Sequence, residues 1–205
     1  MKRLAILGAS GHGKVVADIA ETCGWDQVEF YDDAWPEIKN NGSWTVKGNS
    51  QCLLDNMSQY TGIFVAIGNN IIRAEKLTWL YCHNAPVVTL CHPSAVVSQY
   101  ASIGSGTVIM PGVIINADTA VAEGCILNTG CSVDHDCTLG RCVHISPGAR
   151  LAGGVSVGEY SWIGIGASVR QLVNIGKRVT VGAGAAVVSD LPDTVTAVGV
   201  PAKLI

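Results

Sequence analysis

Val121-Ala-Glu-Gly-Cys-Ile-Leu127-Asn-Thr-Gly-Cys-Ser-Val133-Asp-His-Asp-Cys-Thr-Leu139-Gly-Arg-Cys-Val-His-Ile145 carries an aliphatic residue at every sixth position. Two places before each stands a small residue or valine: Cys125, Cys131, Cys137, Val143. The step continues without insertion in both directions, from Val97, Ile103, Ile109 and Ile115 to Leu151, Val157, Ile163, Val169, Ile175, Val181 and Val187, sixteen aliphatic residues in all. A period of six with two inward positions suits a short strand, a turn and another short strand, so that three hexads close one triangular coil. The sixteen hexads then stack into about five coils. Glycine follows the aliphatic position at Gly104, Gly140, Gly158, Gly164, Gly176 and Gly182, where a corner is expected to need φ values that side chains resist. A β-sandwich would space its turns irregularly and would not keep one column apolar sixteen times.

Upstream of the repeat the pattern changes. Lys2 to Leu7 is a short apolar run ending in Gly8-Ala-Ser-Gly-His-Gly13, after which Val15, Val16, Ile19 and Ala20 give a helical stripe as far as Cys23-Gly24. A second strand, Val28 to Tyr31, ends in Asp32-Asp33. A third, Ile63 to Ile67, ends in Gly68-Asn-Asn70 and feeds a helix reaching about His83. Strand, glycine turn and helix make a place where backbone N–H groups can meet a phosphate, although a tight turn accounts for the glycines almost as well. Carboxylates at the end of the second strand stand where a doubly wound sheet binds a ribose or base, or they form a solvated turn. About ninety residues is short for a complete dinucleotide domain, which favours one nucleotide or nucleotide-sugar. The expected architecture is a small Rossmann-like α/β domain with a parallel sheet over residues 1–90, followed by a parallel β-helix over residues 91–205.

Bulk composition narrows the partners. The net charge is −3 and the 13 Lys and Arg are scattered, so no basic stripe could neutralise a nucleic-acid backbone. The opening Met1-Lys-Arg-Leu-Ala-Ile-Leu7 imitates a secretory signal only until Gly8, and a buried first strand fits it better. No stretch approaches the roughly 18 unbroken apolar residues of a spanning helix, so no membrane partner is expected. Of eight cysteines, Cys125, Cys131 and Cys137 fall on the inward column as small core residues. That usage points to a reducing, cytoplasmic compartment.

Five histidines are present, of which only His135 and His144 lie within the coils. His135 is flanked by Asp134 and Asp136 and sits two residues past an inward valine, hence at a corner. An acidic neighbour orients an imidazole and raises its basicity, which suits a general base near neutral pH. Periodicity alone fits an ordinary exposed corner histidine equally well. A metal-dependent hydratase on the same coil would need several histidines stacked between coils. One coil from His135 stand Ala117 and Gly153, and one coil from His144 stand Ile126 and Trp162, so no ladder of metal ligands forms and no metal is expected.

Taken together, Gly8 to Gly13, Tyr31-Asp-Asp33, Ala66-Ile-Gly-Asn-Asn70, Asp134-His-Asp-Cys137, His144-Ile-Ser-Pro-Gly148 and Gly199-Val-Pro-Ala-Lys203 resemble the hexapeptide-repeat bacterial sugar O- and N-acetyltransferases. The resemblance spans essentially the whole chain and is to the group that includes the UDP-4-amino-sugar N-acetyltransferases and sialic acid O-acetyltransferase. It implies a left-handed β-helix, against the usual crossover rule, and a homotrimer whose active sites lie between subunits. It implies acetyl-CoA as co-substrate and, as acceptor, a nucleotide-linked 4-amino-4,6-dideoxy sugar, with UDP favoured, in glycan or surface polysaccharide synthesis. By the same resemblance His135 is the general base and Asp136 the residue that raises its basicity, where relatives often carry the longer Glu. Ser10, Gly11, His12, Asp32, Asp33 and Gly68 match the nucleotide-sugar pocket. His144, Ile165 and Ala183 match acetyl-CoA contacts. The competing readings are O-acetylation of a sialic-acid-like sugar and a nucleotide-binding scaffold without catalysis.

Overall fold

The computed structural model describes residues 1–205, which form two compact units, Met1–Pro93 and Ser94–Ile205. The expected boundary after residue 90 lies three residues before the observed one.

The first unit is built on strand β1 (Arg3–Leu7), whose Leu4, Ala5 and Ile6 are wholly buried, as a central parallel strand covered on both faces requires. Helix α1 (Gly11–Thr22) follows, burying Val16, Ala17, Ile19 and Ala20 while Val15 faces solvent, so the buried stripe is turned by a residue from the expected one. Strand β2 (Gln27–Tyr31) pairs with β1 in parallel. A hairpin absent from the sequence reading comes next, β3 (Asn40–Asn41) antiparallel to β4 (Trp44–Gly48), then helix α2 (Ser50–Asp55), strand β5 (Gly62–Val65) and helix α3 (Asn70–Cys82). The sheet order β3-β4-β2-β1-β5 puts β1 between β2 and β5, so the chain reverses direction across the sheet at the carboxyl end of β1. In open α/β sheets that crevice is where ligands bind. Asn69 caps α3, its side chain accepting from the amides of Ile71 (3.0 Å) and Ile72 (3.1 Å).

The second unit is a parallel β-helix. Its sixteen two-residue strands, Val96–Val97 to Ala186–Val187, each pair with a strand one coil away, for example Ser132 with Arg150 and Val133 with Leu151. Both predicted columns point inward: Val133, Ile145 and Ile163 are fully buried, as are Cys125, Cys131 and Cys137. All eight cysteines are free. Polar members of the inward column meet their hydrogen-bonding needs in one repeated way. Thr119 Oγ1 donates to the Asp134 carbonyl (2.6 Å), Ser161 Oγ to that of Gly176 (2.8 Å) and Cys137 Sγ to that of Ala152 (3.3 Å), each fifteen residues on. Thr196–Val198 pairs with the last coil and with Lys203–Leu204, ending the stack.

The corner glycines need a correction. The left-handed backbone recurs every sixth residue from Gly106 to Gly184, three places after the aliphatic residue, and includes Asp118, Asp136 and Leu172. Glycines directly after the aliphatic residue do not have positive φ. They are small because the next coil is close: a Cβ on Gly158 would stand 2.6 Å from backbone atoms of Gly176 and Lys177. Conformation and clearance are separate demands, made at different places in the hexad.

Candidate active site

His135 stands at the corner between Ser132–Val133 and Thr138–Leu139. Its Nδ1 lies 2.7 Å from Asp136 Oδ2, so the shorter Asp does reach the ring. Asp136 adopts φ 58°, a left-handed conformation that aspartate tolerates, and this turns its carboxylate back toward the preceding side chain. Asp134 accepts from the His135 amide (2.9 Å) and from Asn116 Nδ2 one coil below (2.8 Å), which anchors the corner. The Asp136 hydrogen bond, with the nearby charge of Asp134, holds the imidazole above its ordinary pKa. With Nδ1 occupied and the side chain 62% exposed, Nε2 is the nitrogen available to an incoming proton.

His144, Ile165 and Ala183, distant in sequence, line one groove of about 450 Å³ at another corner of the coil. Trp162, one coil above His144, stacks on its ring with centroids 5.5 Å apart and planes 5° off parallel. Its indole N–H donates to Ser146 Oγ (2.6 Å), and His144 Nε2 lies 3.2 Å from Asn128 Nδ2. Trp162 is 49% exposed and Ile165 57%, leaving an apolar strip edged by a few polar groups, the usual make-up of a small-molecule or cofactor site. Trp162, Ser146 and Asn128 were not singled out from sequence, although each lies one coil from another groove residue and the eighteen-residue register could have found them.

In the first unit, Ser10, Asp32, Asp33 and Gly68 line a cavity of about 290 Å³ at the carboxyl ends of β1, β2 and β5. Ser10 is the N-cap of α1, yet its side chain makes no capping bond, which leaves the hydroxyl to a ligand. Gly11 and His12 do not line this cavity. A Cβ on Gly11 would meet nothing within 4 Å, so the helix start is open to solvent there. Both carboxylates are already engaged. Asp32 accepts from the amides of Ala9 (2.7 Å) and Ala34 (2.9 Å), bracing the glycine turn. Asp33 accepts from the Ser50 amide (2.8 Å) and from Lys76 Nζ (2.6 Å). Burial alone would raise the Asp33 pKa, but Lys76 and Ser50 outweigh it and hold it at about 2.

Lys76 and Arg73, both on α3, escaped the sequence reading because charges on a helix ordinarily face water. Arg73 is instead fully buried, donating to the carbonyls of Ile67 (2.8 Å) and Gly68 (3.1 Å) and to Asn70 Oδ1 (2.8 Å). It thereby shapes the loop carrying Gly68. His12 is half-buried, with its Nε2 shielded from solvent, and desolvation followed by the Arg73 charge lowers its pKa to about 4. Its folded pKa lies below the unfolded value near 6.5, so the unfolded chain binds the extra proton. Stability of this unit is therefore expected to fall as pH drops from about 6.5 to about 4. Urea unfolding across that range should show the slope, and His12→Gln should flatten it.

The comparisons with known proteins follow the same division. Residues 3–80 match the family profile described as the PglD N-terminal domain. UDP-N-acetylbacillosamine N-acetyltransferase of Bacillus subtilis is 40% identical over 112 residues, 54% of this chain and 52% of that protein; the match thus spans about half the length of that curated relative. The acetyltransferase domain of PglB from Neisseria gonorrhoeae, solved with acetyl coenzyme A, superposes with a TM-score of 0.95 at 41% identity over 100% of this chain and 99% of that one. PerB from Caulobacter crescentus, solved with CoA and GDP-perosamine, gives a TM-score of 0.95 at 41% identity, covering 100% of this chain and 98% of its own.

Proposed function

Because the chain belongs to the hexapeptide-repeat sugar N-acetyltransferases, we propose that it moves the acetyl group of acetyl-CoA onto the amine of a UDP-linked 4-amino-4,6-dideoxy sugar for glycan or surface polysaccharide synthesis. The observation carrying this is the His135–Asp136 pair, an exposed imidazole oriented at Nδ1 and left open at Nε2. His135 Nε2 accepts a proton from the amine as it attacks the thioester carbonyl, and a backbone N–H holds the developing oxyanion. The imidazolium then returns its proton to the departing thiolate, so no acyl-enzyme and no cysteine take part. Acetyl-CoA lies along the groove of His144, Trp162, Ile165 and Ala183. The nucleotide sits at the strand edge of Ser10, Asp32, Asp33 and Gly68, with Gly11 and His12 at the helix start beside it. The choice of UDP is supported by the curated relative named for a UDP sugar, against which PerB, solved with GDP-perosamine, sets the other nucleotide. Eight free cysteines support a reducing compartment such as the cytoplasm.

The test is thiol release from acetyl-CoA with UDP-linked and GDP-linked 4-amino-4,6-dideoxy sugars and free sialic acid as acceptors. Release with one nucleotide-linked amine supports N-acetyltransfer and names the nucleotide. Release only with sialic acid moves the assignment to O-acetylation, and none with any acceptor rejects it.

We further propose a homotrimer in which one copy supplies His135 and its neighbour the acetyl-CoA groove. Within one chain the two lie at different corners of the coil, whereas reacting atoms must approach to ~3–3.5 Å. Ile165→Glu should raise KM for acetyl-CoA about tenfold by placing a charge in the apolar strip. At acetyl-CoA well below KM, co-expressed Ile165→Glu and His135→Ala chains should be more active than either variant alone, since mixed assemblies contain some sites with both parts intact. No recovery, or a monomer by light scattering, would reject the shared site.

A further inference from the structure

At the corner carrying His135, successive coils offer equivalent residue pairs: Ala117 and Asp118, His135 and Asp136, Gly153 and Gly154, Gln171 and Leu172. The second of each pair is left-handed, with φ of 59°, 58°, 67° and 62°. That conformation accounts for glycine at 154. It does not account for Gly153, whose φ lies outside the left-handed region and whose equivalents are alanine, histidine and glutamine.

Space accounts for it. A Cβ built on Gly153 would stand 2.5 Å from Cε1, 2.6 Å from Nε2 and 3.2 Å from Nδ1 of His135, and these three ring atoms are the nearest of all. The clearance glycines after the aliphatic positions, such as Gly140 and Gly158, are packed against backbone instead. We infer that Gly153 is a positioning residue for His135: the imidazole occupies the place a side chain would take, and this seat lets Nδ1 hold Asp136 while Nε2 serves the acceptor. The inference rests on the reading of His135 as general base.

A methyl group at 153 needs ordinary contact distances of ~3.4–4 Å, so the ring must shift by about 1 Å or leave its rotamer. Either movement breaks the 2.7 Å bond to Asp136. The backbone has no reason to move, since alanine is allowed at this φ and the ladder bonds Gly154 N–H to His135 carbonyl (2.9 Å) and Leu172 N–H to Gly153 carbonyl (3.0 Å) involve no side chain. A misplacement of 1 Å can cost ~10²-fold in rate. The charged groups facing His135 are Asp136 and Asp134, with Asp118 one coil below Asp136, while the coil above offers Gly153 and Gly154. Loss of the Asp136 bond removes the main influence raising the imidazole.

The experiment compares Gly153→Ala, Asp136→Asn, His135→Ala and the Gly153→Ala/His135→Ala double variant in the full-length protein. Gly153→Ala should lower kcat ~10²-fold with both KM values within about twofold, and move the acid limb of the pH–rate profile down, as Asp136→Asn does. In thermal unfolding its effect should disappear once the ring is removed, so that the double variant melts with His135→Ala. Wild-type kcat in Gly153→Ala, a fall in kcat with an unmoved acid limb, or the same loss of Tm with and without the ring would each overturn the inference. If His135→Ala stays active the general-base reading fails instead, and the melting comparison still decides whether Gly153 seats the ring.

Discussion

His135→Ala is expected to lower kcat by ~10²–10⁴-fold, the usual range for general-base assistance, with little change in the KM for acetyl-CoA. The groove that would hold the co-substrate is lined by residues of another corner, so the substitution leaves it untouched. The fold should survive for an equally local reason. The side chain is mostly exposed and its hydrogen bond is to Asp136, the next residue. The bonds that stack this corner, from Asp136 N–H to the Ala117 carbonyl and from Gly154 N–H to the His135 carbonyl, belong to the backbone. Single-turnover kinetics with saturating acetyl-CoA, beside circular dichroism and thermal unfolding, would check both halves. Full activity in a folded variant would remove His135 from the mechanism. Because the Asp136 bond raises the imidazole's pKa, the wild-type rate should climb with pH as the imidazole deprotonates, along a limb displaced upward from that of a free imidazole.

Arg73→Ala is expected to cost the first unit about 2–5 kcal/mol, from the cavity it leaves and the acceptors it orphans, a large part of the ~5–15 kcal/mol that holds a domain together. Arg73 is the largest fully buried side chain in the protein. Removing it leaves a cavity and strips the Ile67 and Gly68 carbonyls and Asn70 Oδ1 of a charged donor where little water can replace it. Urea unfolding followed by tryptophan fluorescence should show an earlier transition for this unit, since four of the five tryptophans, Trp25, Trp35, Trp44 and Trp79, lie within Met1–Pro93. Arg73→Lys keeps the charge but not the planar fork, and should recover only part of the loss. An unchanged midpoint would mean that the Gly68 loop holds its shape without the guanidinium. In variants that still fold, acceptor KM should rise, because the cavity wall at Ile67 and Gly68 would no longer be held.

The legible part of the site is the part that repeats. His135 could be placed at a corner because its distance from Val133 means the same thing in every hexad. His144, Ile165 and Ala183 were named from the family resemblance rather than from the period, and the structure brings the three to one groove. In the first unit the strand ends were recognised, and Ser10, Asp32, Asp33 and Gly68 meet at one cavity, but Gly11 and His12 lie off its lining. Nothing local distinguishes these outcomes, because helix α1 turns successive residues through about 100° and only the packed sheet decides which of them faces the crevice. Asn40–Asn41 and the helix Ser50–Asp55 are shorter than a periodic signal needs, and Trp44–Gly48 went unread because Val46 is its one buried apolar side chain, where the recognised strands are buried almost throughout.

The sequence alone determined the β-helix, since a strict period of six leaves the chain one way to bury both of its inward columns, and it determined the strand–turn–helix order of the first unit. Tertiary structure decided what each exception to the pattern is for. It separated glycines that supply a left-handed φ from glycines that make room, drew Arg73 into the interior, tied Asp32 to the glycine turn and Asp33 to Ser50 and Lys76, and set the ring of His135 against Gly153. Burial periodicity is written in the order of residues, whereas clearance and charge pairing depend on which atoms stand opposite across eighteen or more residues, and that exists only once the coils and the sheet have closed.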